Sequence, residues 1–131
     1  MKVLDTYMKE VEADTKLDVF SAKDVQSKLP GIKHKWVGRL MRHKQNVISL
    51  ERSLKSKKSN LLKQVKEEAP YKVSTPVAAK AIEDQPSVID IREQIADEKL
   101  VIAFLEKVER IFSSMTFDIK NLTEIMKLET M

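Results

Sequence analysis

No cysteine occurs anywhere in the sequence. Its absence excludes disulfides, thiolate metal sites and a cysteine nucleophile, and removes any pointer to an oxidising compartment. Glycine is nearly as scarce. Gly31 and Gly38 are the only two, which leaves no glycine-rich phosphate loop. Two glycines, four prolines and 34% charged residues argue against a loop-rich β protein. They suit long helices of Lys, Glu and Leu. No apolar run approaches the roughly 18–20 residues of a membrane span. The opening "MKVLDTYMKEVEADTK" has no apolar core and no cleavage pattern. A single soluble, intracellular domain is the expectation.

Catalytic patterns are missing as well. There is no G-x-S-x-G, no H-E-x-x-H and no acidic metal cluster. The two histidines, His34 and His43, lie nine positions apart. On a helix that is about 2.5 turns, so they point in nearly opposite directions and cannot share a metal. Asp97 with Glu98, and Glu106 with Glu109, read as solvated helix faces. No enzyme activity, no cofactor and no metal is expected.

What the chain does have is segregated charge. Residues 31–66 hold eleven Lys and Arg and one acid, Glu51. Residues 1–30 are net −1 and residues 67–131 net −5, so the +4 of the whole chain conceals a middle segment of +10.

Periodicity places that segment on a helix. Residues 1–20 are weakly patterned and read as a short or frayed helix. "SAKD" from Ser21 to Asp24 fits a capping box. Pro30 and Gly31 then read as a helix stop. Beyond them Leu40, Val47, Leu54 and Leu61 recur every seven residues, with Trp36 and Leu50 on the partner positions. His43 and Lys57 interrupt the same seam. This repeat is one coiled-coil-like seam of a helix over about 31–68, roughly 55 Å long. Pro70, Pro76 and Pro86 make 69–87 a linker, with "PVAAKAIED" long enough for a turn or two of helix. Asp84 or Ser87 is expected to cap the next helix. Residues 88–112 carry a broad apolar stripe, which needs more than one neighbour. "SSMT" reads as an interruption with Ser114 or Thr116 as cap, followed by a last helix from Phe117.

The fold expected is all-α: long antiparallel helices, hairpin or coiled-coil-like. The domains expected are 1–68 with the basic helix, a linker at 69–87, and 88–131 as a homo-oligomeric hub. Ile102, Leu105, Val108, Phe112, Phe117, Ile119 and Leu122 are the expected oligomerisation residues.

Solvated helix faces usually mix signs, because i,i+4 Glu–Lys pairs stabilise the helix. Here like charges crowd 36 residues, with Lys33, Lys44, Lys55 and Lys66 in one row and Lys35, Arg39 and Arg42 in another. A polyanion is the partner that explains them, and nucleic-acid phosphate is the commonest. The one aromatic of the segment, Trp36, sits on the seam, so contact should follow the backbone, without base reading. Lys55, Lys57 and Lys58 are the leading candidates for DNA contact. Lys33, Lys35, Arg39, Arg42, Lys44, Arg52 and Lys63 follow.

Two stretches resemble a known family. "KWVGRLMRHKQNVISLERSLKSKK" is similar to the central helix of the UvsY family of phage recombination mediators, and "TFDIKN" (Thr116 to Asn121) to its C-terminal element. The resemblance implies a ring-like homo-oligomer that binds single-stranded DNA. It further implies loading of a RecA-like phage recombinase onto DNA coated by a single-strand-binding protein, in the cytoplasm of the infected host cell. The competing reading is a coiled-coil scaffold whose basic helix meets an acidic protein; the chain's own acidic flanks, reaching across protomers, are candidates for that role.

Overall fold

The computed structural model describes residues 2–16, 22–69 and 72–130. Among them are four helices and no strand: α1 (Lys2–Asp14), α2 (Ala22–Glu68), α3 (Thr75–Glu83) and α4 (Pro86–Thr130). The all-α expectation holds. The chain divides into two compact units, one of residues 1–42 with 101–131 and the other of residues 43–100.

In the first unit α4 supplies Val101, Leu105, Val108, Phe112, Met115 and Ile119, all buried. Their spacing alternates four and three, the signature of one helix seam packed on another. α2 answers with Leu29, Trp36 and Leu40, and α1 with Val11, flanked by Leu4 and Tyr7. Lys33 Nζ donates to Thr116 Oγ1 while Trp36 stacks on Phe112, so the two long helices run antiparallel here.

The second unit buries His43, Ala78, Ile82, Val88 and Ile95. Ala78 and Ile82, four apart on α3, form its inward stripe. The α2 seam continues as half-buried Val47, Leu50, Leu54, Lys58, Leu61 and Val65. The strict heptad would place Lys57 on it, but Lys57 is exposed and Lys58 half-buried. A straight helix drifts relative to a seven-residue repeat, and the seam has stepped on by one position.

Three local expectations are overturned. Pro30 and Gly31 do not stop a helix, because α2 runs through them from Ala22. Val25 and Leu29 belong to the core, so burial carries the helix across an exposed proline despite its lost hydrogen bond. "SSMT" does not interrupt α4. Ser113 Oγ donates to the Glu109 carbonyl at 3.1 Å and Thr116 Oγ1 to the Phe112 carbonyl at 3.2 Å. The hydroxyls bond back inside the helix instead of capping one, and buried Met115 keeps the seam unbroken. Neither Asp84 nor Ser87 caps α4. Asp84 ends α3, and the Gln85 carbonyl accepts from the amides of Val88 and Ile89. Residues 69–87 contain nine residues of helix, α3, entered from Ser74 with Pro76 in its first turn, where a proline costs no hydrogen bond. The Ser21 end of the expected capping box lies outside the described residues.

Gly31 and Gly38 both sit inside α2 at negative φ, and an added Cβ would meet nothing within 4 Å. Gly31→Ala and Gly38→Ala should each stabilise the chain by about 0.5–1 kcal/mol. Urea unfolding checks this: a lower midpoint in either variant rejects an unstrained helical glycine at that position.

Candidate nucleic-acid interface

The cations of α2 fall into two groups. One group is tied to other side chains. Lys35 Nζ lies 2.7 Å from Asp14 Oδ2 and 3.2 Å from Glu10 Oε2. Arg39 donates to both oxygens of Glu10 and its guanidinium lies 4.9 Å from the Tyr7 ring centroid and 4.7 Å from that of Trp36. Trp36 Nε1 donates to Asp14 at 2.9 Å. In the second unit, Lys58 pairs with Glu83 at 3.2 Å, and Glu83 also takes Arg92. Lys33 and Lys66 donate to the hydroxyls of Thr116 and Thr75.

The other group is Arg42, Arg52, Lys55, Lys57 and Lys63. All five are exposed, and none has an ion-pair partner among the described residues. Lys44 is also exposed. At about 100° per residue, Arg52, Lys55, Lys63 and Lys66 fall within roughly a quarter of the helix circumference. They span about 21 Å along the axis, opposite the Leu54–Leu61 seam. Exposed Ser56 and Ser59 lie between them. Lys58 lies on the seam and Lys57 beside it, both away from this strip.

The acids that bind the first group do not stand out in the sequence. Glu10 and Asp14 are four apart, as are Lys35 and Arg39, and that matched spacing is the only local signal of their pairing. Glu98 is no solvated acid either. One oxygen sits 2.5 Å from buried His43 Nδ1 and the other accepts from Asn46. His34 is exposed. Among the described residues no group of three or more His, Cys, Asp or Glu could hold a metal ion, and no helix is long and apolar enough to cross a membrane.

Of the expected oligomerisation residues, Leu105, Val108, Phe112 and Ile119 are used within the chain's own core. Ile102 and Leu122 are half-buried, and Phe117 is 70% exposed.

The sequence matches the family described as "Recombination, repair and ssDNA binding protein UvsY" over residues 10–130. The chain belongs to the UvsY family. Its fold is shared with the bacteriophage T4 recombination mediator protein UvsY, whose crystal structure superposes with a TM-score of 0.80 at 14% identity, covering 96% of this chain and 98% of that one. No curated protein sequence matches. The family match spans the Arg52–Lys66 strip, the α1 acids Glu10 and Asp14 that clasp Lys35 and Arg39, and all of α4. The UvsY family's function thus meets an α2 whose cations are partly free and partly engaged by the chain itself.

The clasp has a pH signature. The hydrogen bond from Arg39 holds the Glu10 carboxyl below its ordinary value of 4.5, against burial and with help from Lys35. Burial pulls Lys35 down, but its bonds to Asp14 and Glu10 carry it above 10.5. Glu83 is lowered mainly by Lys58. A depressed carboxyl stabilises the fold above its unfolded pKa, and that contribution is lost as pH falls through its folded value. The thermal midpoint should therefore decline below pH 4.5, and less steeply in Glu10→Gln. Parallel profiles for the two proteins would show that Glu10 contributes nothing.

Proposed function

We propose that this UvsY-family chain is a recombination mediator that binds single-stranded DNA along the Arg52–Lys66 strip of α2. The observation that carries this reading is the strip itself: like charges on the side of the helix away from the seam, three of them without carboxylate partners among the described residues. Unpaired cations facing water gain little for the fold, whereas each phosphate they neutralise releases condensed counterions. Serines between them add neutral donors for phosphate oxygens. No aromatic lies on the strip, so contact follows the backbone and carries no base code. Lys57 joins from the flank, and Lys58 contributes only by leaving Glu83.

The mediator promotes loading of a RecA-like recombinase onto DNA coated by a single-strand-binding protein. It acts as a ring-like homo-oligomer, which turns one weak strip per protomer into multivalent binding. Exposed Ile111, Phe117, Ile125 and Leu128 on α4 support self-association, since they lie outside the seam already used within the protomer. The family description and the recombination mediator of similar fold support the role.

Titration of fluorescent single- and double-stranded oligonucleotides at several salt concentrations tests the reading. Single strands should bind more tightly, and Arg52→Ala/Lys55→Ala should reduce the log–log salt slope by about 0.7 for each phosphate no longer neutralised. Weak binding to both strands would reject the DNA reading and leave the basic helix to an acidic protein.

A further inference from the structure

The α1 clasp has no part in the function proposed above, yet it is made of the groups that bind single strands. Arg39 packs against both the Tyr7 and Trp36 rings, and Lys35 stands 5.2 Å from the Trp36 ring centroid. Cations set on aromatic faces are the composition of single-strand binding platforms. Here the anions on those cations are the carboxylates of Glu10 and Asp14, presented four residues apart on α1.

We propose that Lys35, Trp36 and Arg39 form a second single-stranded nucleic-acid site, masked by α1, whose Glu10 and Asp14 occupy the positions phosphates would take. This rests on the nucleic-acid reading of the chain. Three observations support it beyond charge. First, the carboxylates engage cations that would repel each other at i,i+4 if left alone, as a strand's phosphates also would. Second, α1 is the lightly held element of its unit. Of its thirteen residues only Val11 is buried, whereas α4 commits six side chains to the same core. Elements with few buried contacts open at lower free energy than the core. Third, the Trp36 face covered by Tyr7, ring centroids 5.5 Å apart and nearly perpendicular, becomes available for a base only when α1 leaves. Phosphate and α1 therefore compete for the same cations. A strand that reaches this site exchanges an intramolecular anion for an intermolecular one.

Neutralising the clasp without changing its shape tests the competition. The full-length Glu10→Gln/Asp14→Asn variant should bind an oligothymidylate roughly three- to tenfold more tightly than the native chain at low salt, the three weak ion pairs of these carboxylates having been removed. Its salt slope should steepen by up to about 1.4, two new phosphate contacts on a single strand. Trp36, the only tryptophan, should be quenched by the oligonucleotide in the variant and much less in the native chain. Adding Lys35→Ala/Arg39→Ala should abolish the gain. Val11→Ala loosens α1 without altering charge and should shift affinity in the same direction, which covers the case of a misfolded charge variant. Native affinity, slope and Trp36 emission in both α1 variants would overturn the proposal while leaving the Arg52–Lys66 strip standing. A gain that survives loss of Lys35 and Arg39 would overturn it too. If no variant and no native chain binds the oligonucleotide, the nucleic-acid reading fails with it.

Discussion

Burial of Trp36 is the constraint on which the first unit depends. At 3% exposure its ring must be covered, and its indole N–H must find an acceptor away from water. Phe112 covers one face at 6.5 Å and Tyr7 meets it edge-on at 5.5 Å. Asp14 accepts the N–H, and an acceptor that is itself a carboxylate calls for a cation, which Lys35 supplies. Those requirements position α1. Glu10 then lies beside Arg39, and two of the cations of α2 are held in ion pairs. One buried aromatic thus decides which cations of its unit are held and which are left to solvent.

The seams were the legible part of the fold. Leu40, Val47, Leu54 and Leu61 on α2 declared a long helix, and the broad apolar stripe of residues 88–112 declared the first part of another. Helix ends were not legible, for one physical reason. Pro30–Gly31 and Ser113–Ser114 are local break signals worth a few kcal/mol at most. Each sits within an apolar stripe whose burial continues on both sides: Leu29 to Trp36 in one case, Phe112 to Ile119 in the other. Local propensity is a weak prior that tertiary burial overrides. Asp84 and Ser87 failed as caps in a related way, since an α3 of nine residues occupies the segment before them.

Charge was legible by segment and illegible by pair. Counting acids and bases identified a basic middle between acidic flanks. It did not show that the flanks reach back within the same chain, Glu10 and Asp14 from one side and Glu83 from the other. Such pairs close loops of twenty or more residues, and no local rule selects them. Of the three leading candidates, Lys55 stands opposite the seam with Arg52 and Lys63, while Lys57 lies beside the seam and Lys58 on it, paired with Glu83.

That division follows from helical geometry more than from any special placement of charge. A cation next to the seam lies within reach of a neighbouring helix, and the acids of these flanks find it there: Lys35 and Arg39 from α1, Lys58 from α3. A cation opposite the seam faces only water. Its repulsion by neighbours is weak, because water screens exposed charges and a like-charged pair one turn apart costs only about 0.2–0.5 kcal/mol, so the helix tolerates it without a partner. The same screening makes such cations responsive to a polyanion, whose phosphates arrive together and displace many small ions at once. A basic helix packed along one seam therefore sorts its own charges. The inner ones stabilise the packing, and the outer ones stay available for a ligand whose affinity is set by salt.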